Sequence, residues 1–220
     1  VDRRQRQMCI RDRLMSLYDK YILPSFLNCA CGSKPINYQR EKVVPQASGI
    51  ILEVGIGSGL NIPFYDQAKV EKIIGLDPSI ELHVMAKKTA DQHNLAVDFI
   101  VGGAEKMDLP NDSVDTVLVT YTMCTIPDAL SANKEMLRVL KPGGRLIFCE
   151  HGLAPDVGVS KWQSRIDPFW GKIAGGCHLN RNIPELIRSA GFQIQTMDEM
   201  YLPSTPKFAG YNYWGVAVAS

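Results

Sequence analysis

The stretch Ile50-Ile-Leu-Glu-Val-Gly-Ile-Gly-Ser-Gly59 constrains the fold more than any other part of the chain. Ile50, Ile51, Leu52 and Val54 read as a strand buried on both faces, the environment at the centre of a parallel sheet. Gly55, Gly57 and Gly59 follow at every second position, where the backbone can turn tightly and approach a ligand that a Cβ would repel. The segment after Gly59 is expected to open a helix whose free N–H groups face that ligand. A buried strand, a glycine turn and a helix start together predict a nucleotide-type site.

The spacing narrows the nucleotide. A dinucleotide site reads G-x-G-x-x-G, with the third glycine giving close helix–strand packing. Here Leu60 stands at that third position. Glu53, just ahead of the loop, would repel a pyrophosphate and suits the ammonium and sulfonium of S-adenosylmethionine. Capping of the loop through hydrogen bonds is the alternative role for this carboxylate.

On these residues the chain resembles the class I S-adenosylmethionine-dependent methyltransferases. Glu53-x-Gly55-x-Gly57-x-Gly59 is similar to their first motif, and Ile73-Ile-Gly-Leu-Asp77-Pro78 to the second strand with its ribose-binding acid. Val101-Gly-Gly-Ala104-Glu105-Lys-Met-Asp-Leu-Pro110 resembles the loop beside the adenine. Ser113–Val119 resembles the fourth strand, followed by Thr120, and Leu137–Phe148 the turn into the fifth. The resemblance implies a Rossmann-like, doubly wound α/β sheet of seven strands, mostly parallel with an antiparallel C-terminal strand. It also implies S-adenosylmethionine as cofactor, held by Glu53, Gly55, Gly57, Gly59, Asn61, Asp77, Pro78, Ala104, Glu105 and Thr120. Many relatives carry an aspartate where Gly103 or Ala104 stands, so Glu105 or backbone groups are expected to face the adenine amino group.

Length and composition agree with one domain that has a sizeable core: 220 residues, 45% hydrophobic and 21% charged. No apolar run approaches the roughly 20 residues that span a bilayer, and no signal peptide is evident. Six cysteines without a framework point to a reducing, cytoplasmic compartment. Residues 1–13 are expected to be a non-native or disordered tail, because Met8-Cys-Ile-Arg-Asp12 matches what a common transposase adapter encodes. They hold five Arg and two Asp, so the chain changes from +1 to −2 without them and they do not indicate nucleic-acid binding. Residues 14–220 then form the methyltransferase domain.

Leu14, Leu17, Tyr18, Tyr21 and Ile22 follow helical spacing up to Pro24. They predict an N-terminal lid helix over the cofactor mouth, with peripheral membrane contact as the rival role. Cys29-Ala-Cys31 invites a zinc reading, but no paired C-x-x-C or H-x-x-x-H accompanies it, and no metal site is expected. Strands are predicted near 50–55, 72–76, 97–101, 114–119, 145–150, 192–200 and 211–218, with helices near 79–93, 129–140 and 181–190. The last two strands lack a crossover helix and are expected to pair as an antiparallel hairpin.

Acceptor chemistry is sought after the fifth strand, in Glu150-His151, Trp162-Gln163, Asp167-Pro168-x-Trp170 and Cys177-His178-Leu-x-Arg181. With Tyr211-x-Tyr213-Trp214, these resemble the alkyl thiol methyltransferase (methyltransferase-like seven) family and its bacterial relatives, over about residues 16–218. The resemblance implies a small apolar acceptor, with thiols first and lipid or quinone-type acceptors second. His151 is the candidate general base or orienting group. Tyr18, Trp162, Trp170 and His178, with Phe169 and Tyr201, are the candidate acceptor pocket. Asp167 is expected to pair with Arg165 or Arg181.

Two other classes stay open: an NAD-dependent oxidoreductase, since Asp77 would also suit an adenosine ribose, and a non-catalytic module that retains the cofactor fold. The first needs a Tyr-x-x-x-Lys pair well past the glycine loop. Tyr38/Lys42 and Tyr65/Lys69 lie before the loop or directly after it. The segment Thr120-Tyr-Thr-Met-Cys-Thr125 does not match the N/D-P-P-Y/F tetrad of amino-methylating enzymes. No basic stripe interleaves with aromatics, and no nucleic-acid partner is expected.

Overall fold

A computed structural model describes residues 31–219. The predicted lid helix with Tyr18, and with it the membrane-contact reading, falls outside the described residues, as does the 1–13 tail. After α1 (Lys34–Val43) the chain alternates β1 (Gly49–Val54), β2 (Val70–Asp77), α2 (Ile80–Gln92), β3 (Val97–Val101), β4 (Val114–Thr120) and α3 (Ala129–Val139). It continues through β5 (Leu140–His151), α4 (Val157–Ile173), α5 (Ile183–Ser189), β6 (Phe192–Tyr201), α6 (Lys207–Gly210) and β7 (Tyr211–Ala219). The seven strands lie in the order β3-β2-β1-β4-β5-β7-β6. All adjacent pairs from β3 to β5 are parallel, whereas β7 runs antiparallel to both β5 and β6.

Side-chain alternation along the central strands builds two cores from one sheet. Leu52 and Val54 of β1, Val117 and Val119 of β4, and Leu146 and Phe148 of β5 face the core shared with α3 and α5. Ile51, Leu118, Ile147 and Cys149 face the opposite side, where Val43 and Val44 cover them. A fully buried side chain of this kind contributes about 1.5–3 kcal/mol. Continuous apolar runs, rather than alternating ones, therefore form the middle of the sheet. No helix among the described residues is long and apolar enough to cross a membrane.

Three local expectations change. The helix anticipated after Gly59 is only a 3-10 turn at Ile62–Phe64, after which Tyr65 becomes extended at ψ 134°. From that extended position the Tyr65 hydroxyl donates to Glu53 at 2.5 Å. Helix α1 was not predicted. Neither was α4, because Gly158, Pro168 and Gly171 all lie within it, and such residues read as helix breakers.

The strand order reverses between β1 and β4, whose carboxyl ends lead into Gly55 and Tyr121 respectively. Open α/β sheets bind ligands at this switch point.

Candidate active site at the carboxyl edge of the sheet

The three loop glycines adopt left-handed φ values of 73°, 54° and 82° at Gly55, Gly57 and Gly59. Their surroundings differ. A Cβ on Gly55 would sit 2.3 Å from the Thr122 side chain, and one on Gly59 2.6 Å from Ile62. A Cβ on Gly57 would meet nothing nearer than the Gly55 carbonyl at 3.8 Å. Gly55 and Gly59 therefore permit packing, and Gly57 is the point where bare backbone faces open space. The Asp77 carboxylate supports that point. Its Oδ2 accepts from Gly57 N (3.0 Å) and its Oδ1 from Ser79 N (2.9 Å). Burial pushes the Asp77 carboxyl up, against those hydrogen bonds. Pro78, next to it, is exposed.

Glu53 is 1% exposed, and both of its oxygens are engaged. Asn61 Nδ2 donates to Oε1 at 2.9 Å and Tyr65 OH to Oε2 at 2.5 Å. Asn61 also bonds Thr120 Oγ1 (3.0 Å), while its Oδ1 accepts from Arg40 Nε (2.9 Å). Burial, partly offset by these donors and by the Arg40 guanidinium, pushes Glu53 up to about 7. Glu53 thus shapes the loop through Asn61 and Tyr65. Arg40, itself 3% exposed, gave no sequence signal, because it lies on a helix that carries no motif.

Ala104 is buried in the main core. Glu105 is half-buried, with its carboxylate over Gly103, where a Cβ would meet Oε2 at 2.7 Å. Its Oε1 accepts from Asp128 N at 3.5 Å.

On the acceptor side, Glu150 ends fully buried, with Oε1 accepting from Thr122 N (2.7 Å) and Met123 N (3.0 Å). Its Oε2 has no partner. Burial drives this carboxyl up to about 7 despite the two N–H donors. His151 presents Nε2 to Cys177 Sγ at 3.3 Å. Burial opposes charge on the imidazole, but the Cys177 sulfur outweighs it and raises the histidine. His178 does not share that contact: its Nδ1 lies 2.8 Å from Asp167 Oδ2, while Asp167 Oδ1 accepts from Leu179 N at 2.7 Å. Asp167 thus braces the Cys177–Leu179 loop, which corrects the expected pairing with Arg165 or Arg181. Arg181 instead donates to the Met123 carbonyl.

The predicted aromatic pocket is not buried as one group. Trp162 and Phe169 are 51% and 68% exposed. Trp170 packs on Cys124, Ala174 and Cys177 and edge-on to Phe208 (5.9 Å), and Tyr201 meets Tyr211 edge-on (4.8 Å). A cavity of about 320 Å³ lies elsewhere, between the starts of α3 and α5, lined by Pro127, Leu130, Arg181 and Leu186 among others. It includes none of the predicted site residues.

These features fit S-adenosylmethionine. A side-chain-free loop point at Gly57 rests on the Asp77 carboxylate, and the buried Glu53 carboxyl holds the same loop through Asn61 and Tyr65. Such a site favours a cation over a pyrophosphate.

Comparisons with known proteins agree. A family described as a methyltransferase domain matches residues 52–148. The rat thiol S-methyltransferase TMT1B is 33% identical over 167 residues, covering 73% of this chain and 68% of that protein. A phosphatidylethanolamine N-methyltransferase of Cereibacter sphaeroides is 29% identical over 105 residues, 47% of this chain and 51% of that one. Among solved structures, a geranyl diphosphate methyltransferase in complex with S-adenosylmethionine superposes with a TM-score of 0.67 at 15% identity, over 84% of this chain and 85% of the other, and bears on the fold alone. The chain is an S-adenosylmethionine-dependent methyltransferase and belongs to the family of the thiol S-methyltransferases.

Proposed function

We propose that the enzyme methylates a small apolar thiol. The observation that carries this reading is that the loop carboxylates and the candidate base His151 are already engaged and not spare to deprotonate an acceptor. Both Glu53 oxygens and both Asp77 oxygens hold donors, and His151 Nε2 is committed to Cys177 at 3.3 Å. A thiol with a pKa of about 8.5 is already a few per cent thiolate near neutrality and needs no such base. The likeness to rat TMT1B supports the same acceptor.

When bound, S-adenosylmethionine supplies a methyl group activated on a sulfonium. The chain's own residues then have two tasks, orientation and charge. In this reading Asp77 receives the ribose hydroxyls, and Ala104 and Glu105 line the adenine side. Glu53, Asn61 and Thr120 hold the loop under the amino-acid end. Pro78 directs the chain from Asp77 into the Ser79 cap of α2. Trp170, with Trp162 and His178 on the same α4 and Cys177 loop region, borders the acceptor.

A methyl-transfer assay across alkyl thiols, phosphatidylethanolamine and hydroquinones tests this reading. Thiols should turn over. Inert thiols beside an active lipid or quinone would overturn the acceptor assignment and leave the cofactor site standing.

A further inference from the structure

Three side chains from distant parts of the chain converge beside the proposed acceptor region. Cys124 lies in the turn after β4, His151 is the last residue of β5, and Cys177 lies in the loop after α4. The Cys124 sulfur, a His151 ring nitrogen and the Cys177 sulfur all lie within 4.8 Å of one another. Cys124 is 3% exposed and Cys177 9%. We infer that Cys124, His151 and Cys177 form a site for a thiophilic divalent cation, zinc being the ion this donor set selects.

The geometry supports this. Tetrahedral zinc holds sulfur at about 2.3 Å and nitrogen at about 2.1 Å, which spaces neighbouring donor atoms about 3.6–3.8 Å apart. The 3.3 Å separation of Cys177 Sγ from His151 Nε2 is close to that figure. Two thiolates and an imidazole suit zinc and leave one coordination position for an exogenous ligand.

The frame around the donors is fixed independently. His178 N donates to the Cys124 carbonyl at 2.9 Å, tying the two cysteine loops together. Asp167 grips His178 and Leu179, as outer partners fix ligand loops in metal sites. His151 is held in register opposite Asn212 by the β5–β7 ladder.

A Cys124–Cys177 disulfide does not explain a histidine nitrogen aimed at the sulfurs. The site escapes a search for paired spacings such as C-x-x-C, because its ligands are 27 and 26 residues apart in sequence. That search gave the expectation of no metal. Cys31 is outside the group.

Cobalt titration of reduced, metal-depleted protein tests the inference. One equivalent should bind, with a thiolate-to-cobalt charge-transfer band and tetrahedral d–d absorption, and zinc should displace it. C124S and C177S should each weaken cobalt binding about 100-fold or more, as expected if the ligands share the binding energy evenly. A C29S/C31S double variant should keep the full spectrum. Binding of S-adenosylmethionine, followed calorimetrically in every variant, establishes that each is folded. Absence of the cobalt spectrum in wild-type protein that binds S-adenosylmethionine overturns the inference. So does a spectrum that survives in C124S and C177S, or one that is lost in the C29S/C31S variant.

Discussion

Replacing Glu53 by Gln tests whether a buried, proton-holding carboxyl underlies the cofactor loop. In the folded protein Glu53 stands near 7 rather than 4.5, chiefly because burial penalises its charge. Between those values the native state binds the proton and the unfolded chain releases it. The stability present below 4.5 is therefore lost as pH rises through about 7. Integrating that difference from about pH 5.5 to about pH 8 gives a loss of roughly 2 kcal/mol from Glu53. Glu150, shifted to about 7 for the same reason, adds a similar loss, while the Cys177 thiol, pulled down to about 4, works in the opposite sense, so the difference between wild type and E53Q isolates Glu53. In E53Q the amide oxygen can still accept from Asn61 Nδ2 and the amide NH₂ can donate to the Tyr65 oxygen. Only the Tyr65 proton loses its acceptor, at about 1 kcal/mol. The variant should therefore be slightly less stable than wild type near pH 5.5 and more stable near pH 8, the difference between the two changing by roughly 2 kcal/mol. Urea denaturation of the apo proteins at the two pH values measures this. Equal slopes in wild type and E53Q would refute the assignment of a raised, buried Glu53.

The loop glycines should separate binding from folding. Gly57→Ala meets open space but a strained left-handed φ, so it should cost only about 1–2 kcal/mol of stability while abolishing measurable calorimetric binding of S-adenosylmethionine. Gly55→Ala, whose Cβ would strike Thr122, should instead lower the thermal midpoint far more than Gly57→Ala. Asp77→Ala should weaken S-adenosylmethionine binding by about 1–3 kcal/mol, and an unchanged dissociation constant would remove Asp77 from the cofactor site. Gln163, 1% exposed, accepts from Ala154 N and donates to the Gly152 and Phe208 carbonyls. Gln163→Leu strands these three groups and should cost about 3–5 kcal/mol in chemical denaturation.

The primary sequence determined the parts that depend on near neighbours. The run Ile50–Gly59 shows a central strand and its turn because burial on both faces and glycine conformation are properties of a few consecutive residues. Asp77 was legible for the same reason, since it ends an apolar strand directly before a proline and the Ser79 cap. The terminal hairpin followed from two strand patterns with no room for a crossover helix. Only the tertiary structure decided which side chains share the carboxyl edge. The order β3-β2-β1-β4-β5-β7-β6 brings Arg40 to Asn61, Tyr65 to Glu53 and the Thr122–Met123 amides to Glu150. It also gathers Cys124, His151 and Cys177, and it sets Asp167 on His178 rather than on an arginine. Helix α4 forms across Gly158, Pro168 and Gly171, with Gln163 and Asp167 buried on it, against the local signals of its own residues. These pairings join residues 11 or more positions apart in the chain. They are selected by the packing of two cores on one twisted sheet, and no local period or spacing encodes that choice.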